Sequence, residues 1–128
     1  MSFIRYVIVL FFIITVFSCK EEEQWVSMEV TASAYNSTIA QTDGSPNITA
    51  WGDTLQPTTK SIAVSRDLIK KGLTHNTKVK IEGFEGIYVV NDKMHSKWRN
   101  KIDIYFGTDV NAARQWGRKK VEIRFLCK

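Results

Sequence analysis

Between Trp25 and Leu126 the apolar residues recur mainly at a period of two, in runs too short for ordinary helices. The cleanest run is Thr77 to Glu82 (Thr-Lys-Val-Lys-Ile-Glu). Across a tight connection at Gly83 to Gly86 it meets a hairpin partner, Gly86 to Asn91 (Gly-Ile-Tyr-Val-Val-Asn). Met28 to Tyr35, Ser61 to Ser65, Lys101 to Phe106 and Lys120 to Leu126 read as strands on the same ground. Successive side chains of a strand point to opposite faces, so each run carries an apolar face that must be covered. Six short strands and no internal repeat favour a small β-barrel over an open sheet. Two helical pieces interrupt them. Arg66 to Lys71 fits a single turn closed by Gly72. Thr108 and Asp109 are N-cap types, Val110, Ala113 and Trp116 share a face, and Gly117 suits a C-terminal stop. A long loop after Tyr35 carries the turn signals Asp43-Gly44, Ser45-Pro46 and Gly52-Asp53.

The N-terminus has a different character. Arg5 is followed by an apolar run from Tyr6 to Phe17 and then by Ser18-Cys19-Lys20. A basic start, an apolar stretch of about a dozen residues and a small residue before the cut form the secretory pattern. The run is short for a membrane span, which needs roughly 20 apolar residues. Val16-Phe17-Ser18-Cys19 resembles the bacterial lipobox, in which the Cys thiol is acylated and the chain is cut before it. The organisation expected is therefore a signal peptide over 1–18, a lipidated Cys19 and polar tether over 19–26, and a barrel domain over 27–128. An ordinary signal peptide or a short uncleaved anchor is the plainer reading of the same run. Removing residues 1–18 of the 128 leaves 110, enough for one domain with one modest core. With Cys19 acylated, Cys127 has no partner, so the fold cannot rest on a disulfide.

The whole chain carries a formal charge of +5. A basic surface favours polyanions, and export leaves acidic lipid or anionic cell wall ahead of nucleic acid. The basic residues are spread out, so a solvated surface accounts for many of them. His75 and His95 lie 20 positions apart, in no metal-ligand spacing, and neither a metal nor a cofactor is expected. With no Cys nucleophile and no Ser-His-Asp order, the chemistry left is that of carboxylates at strand ends. Asp92 ends Tyr88-Val89-Val90-Asn91, and Asp103 lies inside Ile102-Asp103-Ile104 with Lys101 and Tyr105 on its own face. A desolvated carboxylate holds its proton to higher pH and can act as general acid, as glycosidic cleavage requires. Each Asp also has a structural reading: Asp92 bonding loop amides beside Asn91, and Asp103 pairing with Lys101 or Arg99.

Six stretches carry a resemblance that spans residues 30–126. They are Val30-Thr31-Ala32-Ser33-Ala34-Tyr35, Ile48-Thr49-Ala50-Trp51-Gly52-Asp53, Ser61-Ile62-Ala63-Val64-Ser65, Val89-Val90-Asn91-Asp92, Lys101-Ile102-Asp103-Ile104-Tyr105 and Ala112 to Gly117. In order and spacing they resemble the 3D domain, named for three aspartates, and more distantly the RlpA-like domains. The resemblance implies a mainly β fold, a small six-stranded double-psi β-barrel with one or two short helices, related to the lytic transglycosylase MltA. It places the second and third family aspartates on Asp92 and Asp103, and a further functional acid on Asp53. Ser65 stands at the first family aspartate, with Asp67 two residues beyond it. A Gly-Gly pair common after the second aspartate is replaced by Lys93-Met94-His95-Ser96-Lys97-Trp98.

The function implied is a peptidoglycan-active lytic transglycosylase or glycan hydrolase, with a non-catalytic peptidoglycan-binding module as the alternative. Asp103, Asp92 and Asp53 are the catalytic candidates, and Tyr35, Thr49, Trp51, Ser65, Lys93, His95 and Trp98 the substrate-binding ones. Trp51 and Trp98 suit a core as well as a sugar face, and Tyr35 suits packing as well as a bond to the acid. The expected partners are peptidoglycan glycan strands and a membrane held through Cys19. The expected location is the bacterial envelope, at the outer membrane on its periplasmic or outer side. The lipid reading is checked by labelling cells with a fatty-acid analogue: the full chain takes up label, and Cys19→Ser takes up none.

Overall fold

A strand with one apolar face needs a second surface, and here the sheet supplies it by closing on itself. A computed structural model describes residues 24–37 and 48–127, so Cys19 and the expected signal peptide lie outside the described residues. The elements run β1 (Gln24–Tyr35), β2 (Ser61–Val64), α1 (Arg66–Lys70), β3 (Lys78–Ile81), β4 (Tyr88–Lys93), β5 (Lys101–Tyr105), α2 (Val110–Trp116) and β6 (Arg118–Cys127). The strands form a closed barrel in the order β1-β5-β2-β4-β3-β6. β1 runs parallel to β5 and β2 parallel to β4, and the other neighbours are antiparallel. Closure leaves no long edge for another chain to pair with.

The inward positions are those at period two. Val30 and Ala32, Ile62 and Val64, Val79 and Ile81, Ile102 and Ile104, and Val121, Ile123 and Phe125 are all buried in one core. Each of the Val, Ile and Phe side chains among them contributes about 1.5–3 kcal/mol by leaving water. The two helices form where their caps place them. Asp109 accepts a hydrogen bond from the Ala112 amide at 2.9 Å, and Gly117 ends α2 at φ +74° with its amide on Ala113. Ala113 is buried and Trp116 packs on the core, as the common face requires.

The expected strands are present with shifted ends. β1 starts at Gln24, inside the segment read as tether. Its first residues are exposed and lack the alternation, but they pair with Arg124–Cys127 at the far end of β6. Cross-strand pairing, not burial, makes them a strand. β4 runs on to Lys93 beyond the expected Asn91, because β2 continues beside it.

The loop after Tyr35 returns across the barrel at Gly107. Gly107 has φ +62°, its carbonyl accepts from the Ser37 amide and the Asn36 side chain, and a Cβ there would lie 2.3 Å from the Pro57 carbonyl oxygen. Gly107→Ala is expected to cost roughly 2–4 kcal/mol from strain and clash together. Calorimetry should show a fall in Tm on the order of 10 °C. Gly52→Ala, at φ +83° with nothing within 4 Å, should cost clearly less.

Candidate functional site

Strand register builds the site on the outer face of the barrel. Asp103 on β5 stands opposite Ser33 of β1 on one side and Ala63 of β2 on the other. Ala63 in turn stands opposite Asp92 of β4. That last pairing depends on an irregularity. The β2–β4 register runs Ile62 to Val90 and then Ala63 to Asp92, skipping Asn91. A bulge of this kind breaks the alternation and re-aims the side chains that follow it. Val90 is buried in the core, while Asp92, two positions on, lines the same outer pocket as Asp103. Two strand spacings separate the backbones of Asp92 and Asp103, about 9–10 Å. Ala63 occupies the strand position between them.

A pocket of about 200 Å³ opens on this face, walled on one side by Met94, His95 and Trp98 of the loop over residues 94–100. The loop over residues 48–60 meets the face beside it, where the Ala50 amide donates to Asp92. Tyr35, Ala63, Asp92, Lys93, Met94, His95, Trp98 and Asp103 line the pocket. Asp103 accepts a hydrogen bond from the Ser33 hydroxyl. The expected ion pair with Lys101 or Arg99 is not the arrangement found: the Lys101 ammonium sits 3.8 Å from the centre of the Trp98 ring. One oxygen of Asp92 accepts from the Ala50 and Lys93 amides, each at 2.9 Å, which is the loop-bonding role open to it. The Tyr35 hydroxyl is buried with no hydrogen-bond partner. Burial, and after it the charge of Asp92, push its pKa well above the ordinary phenol value, so Tyr35 remains a neutral donor.

A second cluster adjoins the first through Asn91. Asp53 accepts from the side chains of His75 and Asn91, the latter at 3.2 Å. Those two bonds hold its carboxyl below the usual range, the His75 contact counting most. The Trp51 ring stacks on His75 with centroids 4.8 Å apart, and the Lys93 ammonium lies 5.9 Å above Trp51. Asp53 is carried on a tight turn in which its amide donates to the Thr49 hydroxyl and its carbonyl accepts from the Thr49 amide. Among the described residues, no group of three or more His, Cys, Asp or Glu side chains is placed to hold a metal ion.

Of the candidates read from the sequence, Asp92, Asp103, Tyr35, Lys93, His95 and Trp98 share the pocket. Asp53 and Trp51 flank it. Thr49 is buried and shapes the turn. Ser65 is fully buried, and its hydroxyl accepts from the Lys101 amide at 3.0 Å, so it fastens the start of β5. Asp67 does the same one step earlier, accepting from the Asn100 amide. Ser33, His75 and Asn91 had no motif of their own and were missed. Only the position of Asn91 beside an acid at a strand end could have marked it.

The sequence from residue 60 to 127 matches the 3D domain family. The chain belongs to that family. Among curated proteins, none matches the sequence. In solved structures the barrel of this 3D domain is similar to the Streptomyces papain inhibitor, at 16% identity and TM-score 0.54, covering 78% of this chain and 94% of that one. Two structures of an expansin from Clavibacter michiganensis, a mutant with cellohexaose and the apo protein, superpose at TM-scores of 0.47 and 0.46. Their identities are 17% and 18%, and each match covers 78% of this chain and 49% of theirs. The fold shared with the papain inhibitor is the six-stranded double-psi β-barrel.

The Asp53 cluster has a pH signature. Its folded pKa is lower than in the unfolded chain, so the contact adds stability above the unfolded value of 3.8 and loses it as pH falls through the folded one. An NMR titration of the Asp53 carboxyl should have its midpoint below 3.8, and His75→Ala should move it back toward that value.

Proposed function

We propose that this 3D domain is an envelope lipoprotein, anchored through Cys19, that cleaves peptidoglycan glycan strands as a lytic transglycosylase or related hydrolase. The observation that carries the reading is the shared pocket of Asp103 and Asp92, open on a barrel face beside the loop over residues 94–100. Of the two, Asp103 has the freer carboxyl to meet a substrate. Its described partner is the Ser33 hydroxyl on one oxygen, whereas Asp92 is tied to two backbone amides.

In the transglycosylase route the Asp103 carboxyl gives its proton to the glycosidic oxygen as the C1–O bond breaks. The resulting carboxylate takes the proton of the sugar's C6 hydroxyl as that oxygen bonds C1, giving a 1,6-anhydro end with no water consumed. Asp92, across Ala63, is placed to stabilise positive charge developing at C1, and the neutral Tyr35 hydroxyl is a donor to a sugar oxygen. Asp53 would act through Asn91, holding the bulge that aims Asp92. The Lys101 and Lys97 ammonium groups lie 3.8 and 5.0 Å from the centre of the Trp98 ring, so a sugar stacking on Trp98 would compete with both cations.

A binding module is the second reading, and one observation favours it: Asp92 and Asp53 are both held by donors of the protein itself. Digestion of purified sacculi separates the two. Asp103→Asn should lower muropeptide release by about 10²–10⁴-fold, the range for loss of a general acid, with a smaller loss for Asp92→Asn. Equal release by both variants and the wild type sinks the acid assignments. Wild-type protein that pellets with sacculi but releases nothing is a binding module.

A further inference from the structure

The row that joins Asp92, Ala63, Asp103 and Ser33 continues one strand further. Ser33 stands opposite Arg118 of β6, and directly opposed residues of an antiparallel pair project from the same face. Arg118 therefore extends the line of the pocket across a fifth strand, with its backbone two strand spacings, about 9–10 Å, from that of Asp103. The next row repeats the pattern: Lys120 of β6 stands opposite Thr31 of β1, which stands opposite Lys101 of β5. Arg118 and Lys120 are both exposed. Among the described residues neither cation lies within salt-bridge distance of an acid. The positions facing them, Ser33 and Thr31, carry hydroxyls that neither neutralise the charge nor block approach. Beyond β1 the row thus passes from the carboxylates of Asp92 and Asp103, which have Lys93 beside them in the pocket, to the two cations.

We infer that Arg118 and Lys120 form a subsite for a carboxylate of the glycan, beside the bond held at Asp103. A guanidinium presents two parallel N–H donors that match a carboxylate, and an ammonium one row away adds a point charge. This rests on the reading that the pocket holds wall glycan, and it makes acidic glycan the substrate class in preference to neutral chitin-like polymer. The carboxylate has two sources in peptidoglycan: the stem peptide where one is attached, and the lactyl group only where the glycan has lost its peptide, since the peptide is joined through an amide to that lactyl carboxyl.

The experiment measures binding, so it does not depend on cleavage. Full-length protein is titrated onto native sacculi, sacculi with carboxyls converted to amides, and glycan strands stripped of peptide. Arg118→Ala with Lys120→Ala should weaken binding to native sacculi on the order of fivefold to tenfold, and Arg118→Lys should restore part of it. The same pair should make no difference on amidated sacculi, where wild-type binding falls to the variant's level. A matched charge loss at Lys80 and Arg124, the latter six residues and about 20 Å along β6, should leave binding unchanged. Sensitivity retained on stripped strands assigns the lactyl carboxylate, and sensitivity confined to intact sacculi assigns the stem peptide. Equal binding of native and amidated sacculi by wild type overturns the subsite while leaving the glycan reading in place. Absence of binding to any of the three polymers overturns both.

Discussion

Pairing of β5 on both its edges is the constraint on which the rest depends. One neighbour, β1, runs parallel and the other, β2, antiparallel, so a single five-residue strand ties the first half of the barrel to the second. Ile102 and Ile104 lock it from inside, where both are fully buried. With the inward side chains committed, the register leaves no freedom outside: Asp103 must lie between Ser33 and Ala63. A slip of one residue would turn the carboxylate into the core and both isoleucines out. The polar anchors agree with that register. Ser65 and Asp67 accept from the amides of Lys101 and Asn100 at the point where β5 begins.

A site on the outside of a barrel would ordinarily be flat, and the loop over residues 94–100 gives this one depth, with the loop over residues 48–60 beside it. Residues 94–100 are held down by the Met94 amide on the Val64 carbonyl and by Trp98 over Lys101. Residues 48–60 are held by the Thr49–Asp53 turn, by the Asp92 carboxylate on the Ala50 amide and by the approach of Pro57 to Gly107. Asp92 is therefore both part of the pocket wall and a brace for the loop beside it. The double role explains why the bulge at Asn91 matters: one skipped residue sends Asn91 to Asp53 and Asp92 to the pocket.

Much of the architecture was legible along the chain because burial and pairing coincide there. Ile102, Ile104, Val79 and Ile81 alternate with polar residues and are in the core, and the Asp109 cap and Gly117 stop bound α2 as their chemistry requires. Gln24 to Ser27 were not legible as strand, since their pairing with β6 needs no apolar face. In the candidate site, Asp92, Asp103 and Tyr35 were marked by position and family pattern, and they do share a pocket. Ser65 carried a mark for the wrong reason: its hydroxyl serves a backbone amide in the interior. His75 carried none, because the partner that gives it meaning, Asp53, lies 22 residues away on another loop.

The amino-acid sequence by itself determined the strand faces and both helices, which follow from local periodicity and caps that each segment carries alone. Membership of the 3D family is legible there too, from the order and spacing of motifs over residues 60–127. The closure order, the bulge that re-aims Asp92, the Trp98–Lys101 contact and the line from Asp92 to Arg118 were decided by tertiary structure only. Each depends on which strands become neighbours and at what register. That choice is made by burying all the apolar faces at once, so no single segment encodes it.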